Sequence, residues 1–534
     1  MRFKPSSLFF LLSFSLITTL SPTAQAQDVD IKVGVVQRFG DEPTETLTLA
    51  SNSGDTLTLE FLGGDLQPKT LSTDKVTLEI NPRPVETPII QERVVLSDRA
   101  TFETAEASAK AWRAKGIAVE IVQPGRWQVW AKRDVYKTPV LRRLLLESLR
   151  EQGETTPYLE SEVLEAVAKV SFVVDGFRYN RDRVSITSGQ NRIQVQESND
   201  EETAKTHTYA GDLNIQPNAY GDFTLVNTVP LETYLRGVVP HEIGPNAPYQ
   251  AVAAQAILAR TYALRNLRRF RADDYQLCAS VHCQVYHGLT ATVEKADRAI
   301  IETQGQVLTY NNELIDALYS STTGGITAQF SDIWDGENRP YLQPRVDSPN
   351  PPWNLAQQPL NDEATFRRFI ALTDGFNESG INVFRWDRQS SIEALTADLN
   401  RYLERTKNPI TNITRITNMA VTERSPSGRI LTLSVYTDKG TIALHKTEAR
   451  SAFEPPRSTL FYLEPIQDAN QSLTGYRFIG GGFGHGVGMS QYGSYNLANL
   501  GKTAPEILAF YYPQTTLTTL NPNIVYYSED GFGQ

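Results

Sequence analysis

Glu242 is the acidic residue whose sequence setting best suits acid–base chemistry. It lies within Pro240-His241-Glu242-Ile243-Gly244-Pro245, where two prolines and a glycine predict a tight turn. A carboxyl group held by a rigid turn beside a buried helix is suited to act as a general acid. That role needs a pKa raised by burial, whereas the positive end of a helix would lower it. From chemistry alone, capping of the following helix is the favoured role for Glu242, and general acid is the alternative.

A glycine-rich segment is the second feature that suggests a site. Gly480 to Gly493 contains seven glycines in fourteen residues, which suits backbone that turns tightly or lets a ligand approach closely. It is not a P-loop, because the Gly-Lys-Ser/Thr ending is absent. His485 lies between two glycines, which favours a site role over a packed core histidine. Gln491 to Leu500 predicts a helix, and the small polar loop at residues 320–325 either lines a sugar site or is a plain turn.

The chain has two cysteines, Cys278 and Cys283, and they lie close together. In an oxidising compartment a disulfide across this short loop is expected first. A metal site that also uses His282 is the second reading, although three ligands on one loop fall short of the usual four for structural zinc. His287 or a more distant group would have to complete it. Free thiols are the third reading.

A long apolar helix must position the Glu242 turn. Pro248 is placed as its first residue, and Tyr249 to Phe270 carries aliphatic side chains on nearly all sides. We expect this helix to be a central core element. Arg260 is the exception, and we expect it to be paired because a lone buried charge is costly. The helix ends in three further arginines, Arg265, Arg268 and Arg269. These are expected to form a solvated terminus that the helix dipole favours.

The rest of the chain predicts an α+β protein of several domains. Alternating patterns indicate a β-rich N-terminal segment over residues 27–92, which ends in a Pro-rich linker at Asn81 to Pro88. Residues 93–152 predict a helix, two strands and a second helix, at Glu103 to Lys115, Ala118 to Val122, Trp127 to Ala131 and Val140 to Arg150. This unit resembles a SPOR module, a small fold that binds peptidoglycan glycan strands, and a generic α+β packing unit is the equal alternative. Strand-like alternation resumes from Val170 to Val229.

Composition and charge exclude several classes of protein. The chain has 534 residues, of which 40% are hydrophobic and 21% charged, so collagen-like, coiled-coil and wholly disordered readings are excluded. Its length predicts about three domains. With 51 Lys and Arg against 61 Asp and Glu, the formal net charge is −10. Nucleic-acid binding is therefore not expected, because contact with phosphates needs a basic surface.

The first 26 residues have the pattern of a signal peptide. Arg2 and Lys4 precede an apolar run from Leu8 to Leu20, and Ala24-Gln25-Ala26 forms a small-residue cleavage site. The run is too short to be a good membrane span, and no later run reaches about 18 apolar residues. An uncleaved anchor is the alternative. We expect an exported protein of the periplasm, cell envelope or extracellular space, with no membrane span after cleavage.

Four motifs occur in the order seen in the SpoIID/LytB family. They are Val238 through Tyr262, the Cys283-Gln284-Val285-Tyr286-His287-Gly288 loop, the Ser321 to Gly325 loop with Trp334, and Gly484-His485-Gly486-Val487-Gly488-Met489-Ser490-Gln491. The chain resembles this family, which includes the stage II sporulation protein D enzymes and the amidase enhancers, from about Val226 to Tyr512. The resemblance implies a catalytic domain over residues 165–515, followed by a C-terminal tail at 516–534.

The resemblance implies a lytic transglycosylase acting on peptidoglycan glycan strands, with no cofactor required for the chemistry. The family's catalytic acid is the glutamate of its Val-Val-Pro-x-Glu motif, which here is Glu242. His241 replaces the usual small polar residue before it, and Ile243 follows where methionine is common. Ordinary glycosidases use two carboxylates. Here one would donate its proton to the leaving oxygen and then deprotonate the sugar's own primary hydroxyl, giving an anhydro-sugar without consuming water.

Further site residues follow from motif membership. The expected substrate-binding residues are Arg260, Tyr262, Gln284, Tyr286, Ser321, His485 and Gln491. Some members of the family bind zinc through a His/Cys loop, so Cys278, His282 and Cys283 are inherited ligands, although one ligand is lacking. A non-catalytic module that binds glycan and stimulates a cell-wall amidase is the second functional hypothesis. A purely structural envelope protein is the third.

Overall fold

The structure is a computed structural model that describes residues 29–42, 44–198 and 205–527. The expected signal peptide, residues 1–26, lies outside the described residues. The helices of the described part are α1 (Phe102–Ala114), α2 (Pro139–Glu151), α3 (Leu231–Arg236), α4 (Val239–Ile243), α5 (Tyr249–Arg265), α6 (Glu294–Glu302), α7 (Glu363–Ile370), α8 (Ile392–Arg405), α9 (Thr447–Ser451), α10 (Gln491–Asn499) and α11 (Ala504–Tyr511).

The strands of the first half are β1 (Asp30–Phe39), β2 (Thr46–Ser51), β3 (Leu57–Leu62), β4 (Pro68–Thr73), β5 (Lys75–Arg99), β6 (Val119–Val122), β7 (Trp127–Ala131), β8 (Tyr158–Val174), β9 (Phe177–Arg181), β10 (Val184–Ser188), β11 (Ile193–Ser198), β12 (Thr206–Tyr209), β13 (Asp212–Pro217) and β14 (Phe223–Pro230). Those of the second half are β15 (Leu277–Cys278), β16 (Gln306–Tyr310), β17 (Glu313–Leu314), β18 (Tyr319–Ser320), β19 (Arg385–Ser391), β20 (Ile416–Arg424), β21 (Ile430–Thr437), β22 (Gly440–His445), β23 (Phe461–Gln467), β24 (Leu473–Gly481), β25 (Met489–Ser490) and β26 (Thr516–Thr519). The protein is thus a strand-rich α+β protein with several sheets, as expected.

The N-terminal strands share a sheet with elements far along the chain. The order of this sheet is β15-β1-β14-β13-β10-β3-β4, with β1 antiparallel to β14 and parallel to β15. A single hydrophobic core runs from Ile31 to Ile524 and includes α5. The β-rich segment expected at residues 27–92 therefore does not pack by itself, because its apolar faces are covered by later strands.

The linker expected at Asn81 to Pro88 is wrong, because β5 runs without interruption from Lys75 to Arg99 and also crosses the expected boundary at residues 92 and 93. Between residues 81 and 91 its partner is β8 alone, so each strand of this ribbon has one free edge within the described residues. Proline cannot donate a ladder hydrogen bond and is tolerated at such an edge. A register shift between Pro84 and Ile89 accommodates the Pro-rich stretch.

The helices and strands expected within residues 93–152 are confirmed to within two residues. Together with the second half of β5 and the first half of β8 they form a βαββαβ unit with the antiparallel strand order β6-β7-β5-β8. Trp127 and Trp130 are both buried, and the Trp127 ring lies 5.1 Å from those of Phe102 and Phe270. These two tryptophans serve the core, and glycan binding by the unit stays a prediction.

Helix α5 is the buried central helix that the sequence predicts, although it ends at Arg265 and not at Phe270. The expectation of solvated arginines at its end is wrong. Arg268 is bound to Glu106 at 2.6 Å and Arg269 to Glu103 at 2.9 Å, and both acids lie on α1. The βαββαβ unit packs over this end of α5 and removes it from solvent.

The C-terminal half contributes two small sheets and the contact that forms the site. Sheets β19-β24-β23 and β20-β21-β22 pack with α8 around a core of their own. Strand β18 pairs in parallel with β25, which brings Tyr319 and Ser320 beside Met489 and Ser490. Strand β26 pairs with β16, so the tail expected to begin at residue 516 starts as part of a sheet. Among the described residues, no helix is long and apolar enough to cross a membrane.

Candidate active site

Glu242 lies on α4, a five-residue helix that forms the expected turn ahead of α5. Its side chain is half-buried, and its Oε1 accepts a hydrogen bond of 2.7 Å from the backbone N–H of Val285. The cap residue of α5 is Pro248, with no side-chain cap. The favoured capping role for Glu242 is therefore wrong, because its carboxyl group faces the loop after β15 and not the start of α5.

Burial raises the pKa of Glu242 from 4.5 to about 7. Hydrogen bonds from the Val285 amide and from the side chains of Gln491 and Tyr319 oppose the rise, and burial outweighs all three. The influences on this pKa within the described chain include no second carboxylate. Near neutral pH, Glu242 can therefore hold a proton and also release it, which is the condition for acid–base catalysis by one residue.

Helix α10 is docked directly on the turn that carries Glu242. The Gln491 side chain donates to the backbone oxygen of Glu242 at 2.8 Å. The Tyr495 hydroxyl donates to the backbone oxygen of Ile243. The helix expected after the glycine-rich segment is confirmed as α10. The Gln491 side chain interacts with both the backbone oxygen and the carboxyl group of Glu242.

Tyr319 is a site residue that the sequence did not reveal. Its hydroxyl accepts a hydrogen bond of 3.0 Å from Gln284, whose side-chain oxygen accepts one of 3.2 Å from Tyr234. The same hydroxyl reaches the Glu242 carboxyl. Gln284 and Tyr234 are fully buried, so they orient Tyr319 and present no surface to a ligand. In the sequence Tyr319 is simply the end of a short apolar run.

His485 occupies the glycine-rich segment as a neutral imidazole. Its Nδ1 accepts a hydrogen bond of 3.0 Å from the Val487 amide, so its proton is on Nε2. Burial, Arg450 and Arg429 together lower the pKa of His485 from 6.5 to about 3, against an opposing hydrogen bond with the Tyr319 backbone. Tyr319 therefore connects His485, through its backbone, with Glu242, through its hydroxyl.

Gly488 shows why this segment needs glycine. Its φ is +75°, and a Cβ atom there would lie 1.9 Å from the backbone oxygen of Leu318. Any side chain would push β25 away from β18 and so separate Gln491 from Tyr319.

Glu378 anchors the loop at residues 323–325. Its carboxylate accepts hydrogen bonds from three consecutive amides, at 2.5 Å from Thr323, 2.9 Å from Gly324 and 3.0 Å from Gly325. Ser490, the cap residue of α10, donates to it at 2.5 Å. This side chain therefore joins the two segments that flank Tyr319, and no motif of the sequence indicates it.

Asp347 forms a buried carboxyl pair with Glu378. It accepts hydrogen bonds from Asn377 at 2.7 Å and from the Tyr511 hydroxyl at 2.9 Å. Burial, followed by the neighbouring Glu378, raises the pKa of Asp347 well above its usual range.

Several expected binding residues serve the scaffold. Arg260 is fully buried and forms a two-pronged ion pair with Glu232, with both distances 2.7 Å, as its position on an apolar helix predicts. Tyr262 is buried and accepts a hydrogen bond of 2.7 Å from Arg269. Tyr286 is buried and donates to Asn227 at 2.8 Å. The structure does not bring these three side chains to an accessible surface beside Glu242.

Ser321 stays at the surface next to the site. It is half-exposed, and its backbone oxygen accepts a hydrogen bond of 3.2 Å from the Tyr492 amide. The loop at residues 320–325 is thus more than a plain turn, because it joins Tyr319 to the glycine-rich segment.

Cys278 and Cys283 form a disulfide with a Cα–Cα distance of 5.6 Å, the first of the three readings. Sulfurs bonded to each other do not serve as thiolate ligands. His282 is exposed, and the described part of the chain holds no cluster of three or more His, Cys, Asp or Glu arranged for a metal. The residues present therefore do not fit the zinc site that the resemblance implies.

Three histidines cluster beside Glu242, which the sequence did not predict. His207 and His287 stack with ring centroids 4.8 Å apart, and the His241 ring lies 4.6 Å from that of His287. Burial lowers the pKa of both His207 and His287, and His241 adds to the effect on each.

A cavity of about 1490 Å³ lies elsewhere, between α1 and the end of α5, where Glu103, Arg268 and Tyr527 line it. Glu242 does not line it. The raised pKa and convergent hydrogen bonds of Glu242, and not cavity size, define the candidate active site.

Comparison with known proteins matches two parts of the chain to family models. Residues 219–310 match the Stage II sporulation protein model, and residues 328–488 match a domain of unknown function, DUF8618. The first range contains Glu242 and the disulfide. The second contains Asp347, Glu378 and His485, whereas Gln491 lies beyond it.

Three curated relatives share about a quarter of their aligned residues with this chain. The "Amidase enhancer" of Bacillus subtilis is 26% identical over 412 residues, which is 68% of this chain, and the chain spans about half (53%) of that protein's length. An uncharacterized protein of Brachyspira hyodysenteriae is 25% identical over 68% of this chain and 86% of its own length. "Stage II sporulation protein D" of Bacillus subtilis is 27% identical over 55% of this chain and 76% of its own length.

The matched range 219–310 contains the first two of the four motifs. This range also contains Glu242 on α4 and the buried helix α5 behind it. The chain is similar to the SpoIID/LytB family, whose Stage II sporulation protein model matches residues 219–310.

Proposed function

We propose that the protein is an exported lytic transglycosylase that cleaves the muramic acid–glucosamine bond of peptidoglycan glycan strands. The observation that carries the proposal is the single carboxyl group of Glu242, half-buried, with its pKa raised to about 7. A glycosidic bond needs a proton on the leaving oxygen as positive charge develops at the anomeric carbon. Glu242 supplies that proton.

After the proton is transferred, the Glu242 carboxylate acts as the base. It removes the proton from the primary hydroxyl of the muramic acid residue, and the resulting oxygen attacks the anomeric carbon. The bond to the leaving sugar breaks and an anhydro ring forms, so no water enters the products. The lack of a second carboxylate among the groups that influence Glu242 supports this route over two-carboxylate hydrolysis.

The hydrogen bonds around Glu242 stabilise its carboxylate enough that the residue can first donate a proton and then accept one. The Val285 amide and the side chains of Tyr319 and Gln491 stabilise the negative form, while burial stabilises the neutral one. A pKa near 7 is the balance that lets one residue act first as acid and then as base.

Digestion of isolated sacculi tests the proposal. The purified protein is expected to release fragments with anhydro-muramic ends, identified by mass spectrometry, and Glu242→Gln is expected to release none. The matched control is Glu404→Gln, because Glu404 is exposed on α8 and remote from the site. Fragments with free reducing ends would show hydrolysis instead. Full activity in Glu242→Gln would overturn the proposal.

The second candidate function is stimulation of a cell-wall amidase by glycan binding without cleavage. The name of one relative, Amidase enhancer, favours it. On this reading, the purified protein leaves glycan strands intact and raises amidase turnover, and Glu242→Gln raises it equally. Glycan binding by the βαββαβ unit would serve either function.

A further inference from the structure

Three arginines surround the segment from Phe483 to Gly486, and none has a carboxylate partner within 4 Å in the described chain. They are Arg429, Arg450 and Arg457. Most other partly buried arginines of the protein, such as Arg265 and Arg269, do have such partners. A desolvated positive charge with no carboxylate in direct contact is unfavourable, and Asp332 and Glu378 act on Arg429 only from a distance, so these three are the anomaly to explain.

Arg429 lies directly beneath the glycine-rich segment. Its side chain is fully buried, and a Cβ atom on Gly486 would meet its Nη2 at 2.2 Å. Nη2 donates to the backbone oxygens of Thr323 at 2.6 Å and Ile326 at 2.9 Å. Its Nε and Nη1 are buried without an acceptor, so two donors of this guanidinium are unused.

Arg450 stands beside His485 on α9. It is half-buried, and its side chain makes no hydrogen bond or ion pair with any described residue. It is the charged group with the largest influence on the pKa of His485, ahead of Arg429. The ring of Trp334, 5.1 Å from that of His485, forms the apolar side of this region.

Arg457 lies at the opposite end of the segment. Its guanidinium carbon is 5.5 Å from the centroid of the Phe483 ring, and its backbone oxygen accepts a hydrogen bond of 3.1 Å from Gly484. Arg457 is half-exposed, and 37% of Phe483 is exposed, so a ligand can reach both residues. The aromatic ring holds the cation in place without neutralising it.

The segment from Phe483 to Gly486 is connected to the reacting group through Tyr319. The backbone of Tyr319 is hydrogen-bonded to His485, and its hydroxyl reaches Glu242. Phe483 forms a bridge with Thr322, three residues after Tyr319. These connections place the Phe483–Gly486 segment next to the Glu242 site.

We propose that Arg450 and Arg457, with Arg429 beneath them, form a subsite that binds a carboxylate group of the glycan strand. The inference rests on the proposed function for the identity of the strand, and it adds that the site recognises acidic glycan over neutral glycan. Each muramic acid residue carries a carboxyl-bearing substituent, whereas glucosamine does not. Guanidinium groups bind carboxylates with strong, directional hydrogen bonds.

Binding of strands to the inactive Glu242→Gln protein tests the subsite apart from cleavage. The probes are peptide-free peptidoglycan strands, peptide-bearing strands, and chitin oligosaccharides of equal length, which lack carboxyl groups. We expect the acidic strands to bind at least tenfold more tightly than chitin at low salt, with the difference shrinking as salt rises. Preference for peptide-free strands would assign the carboxylate to the sugar substituent, and preference for peptide-bearing strands would assign it to the stem peptide.

Charge variants on the same background provide the second arm. Arg450→Gln and Arg457→Gln are each expected to weaken binding of acidic strands about tenfold and to leave chitin binding unchanged, whereas Arg450→Lys and Arg457→Lys retain part of the preference. Arg192→Gln is the control, because Arg192 is exposed on a distant turn. Equal affinity for acidic strands and chitin, or unchanged preference in correctly folded Gln variants, would overturn the subsite. If the unaltered protein does not cleave glycan strands but still binds acidic strands more tightly than chitin, only the proposed function is overturned.

Discussion

Replacing Tyr319 with Phe is expected to move the alkaline limb of the cleavage profile to higher pH. Glu242 must be protonated to act as the general acid, so kcat/KM falls about tenfold per pH unit above its pKa of about 7. The Tyr319 hydroxyl stabilises the carboxylate and thereby lowers this pKa. Removing the hydroxyl raises the pKa, and the acid stays loaded to higher pH.

The size of the shift follows from the ranking of the hydrogen bonds. A hydrogen bond to a charged group contributes about 1.5–3 kcal/mol, and one pKa unit corresponds to about 1.4 kcal/mol, which gives an upper limit of about two units. Tyr319 has the smallest influence of the three hydrogen-bonding groups on Glu242. We therefore expect a shift of about half to one unit. At pH 9 the variant would retain about three to ten times more of its plateau activity than the parent.

The assay is kcat/KM for the release of anhydro-muramic ends between pH 5 and 9. The plateau itself is expected to fall, because Gln284 loses the acceptor for its amide. Tyr495→Phe is the control, since it removes a phenol hydrogen bond to the backbone oxygen of Ile243 and leaves the carboxyl group untouched. An unmoved limb, or one displaced to lower pH, would refute the assignment of Glu242 as the titrating acid.

Three further outcomes concern the scaffold of the site. Glu378→Gln leaves amides of the 323–325 loop without acceptors, so it is expected to lower the free energy of unfolding by about 3 kcal/mol. Denaturant titration measures this loss, with Glu404→Gln as the control. Unchanged stability would contradict the anchoring role of Glu378. Replacing both Cys278 and Cys283 with Ser is expected to cost about 2 kcal/mol, as a short closed loop predicts, and added zinc should not raise the melting temperature of the unaltered protein. Because His207 and His287 have lowered pKa values, the stability they contribute is present above pH 6.5 and is lost as pH falls through those values. The melting temperature should therefore drop on acidification, and less so in His287→Phe; an equal drop would exclude the cluster as the cause.

Local patterns were sufficient to predict many of the individual elements. The helix predictions for α1, α2 and α10 lie within two residues of the observed bounds. The apolar composition of α5 predicts its burial, and the same reasoning predicts a partner for Arg260, which is Glu232. These predictions succeed because they depend on residues within a few turns of one another.

What sequence reasoning missed are contacts between distant segments. The prolines at residues 81–88 suggest a linker, but pairing with β8 makes them part of a strand. Arg268 and Arg269 look solvated until α1 covers them. Whether burial or a helix end controls the pKa of Glu242 also depended on packing, since the loop carrying Val285 and helix α10 both close over it.

The candidate active site therefore exists only where separate parts of the chain meet. Glu242 lies on α4, Tyr319 on β18 and Gln491 at the start of α10, and these residues are 77 and 172 positions apart along the chain. Glu378, from the region between them, ties β18 to α10 through the loop amides and Ser490. Loosening any of these connections would admit water to Glu242, and its pKa would fall toward 4.5 because burial is the largest cause of the rise. The acid would then be ionised at neutral pH, so distant packing contacts determine whether this carboxyl group can act as a catalyst.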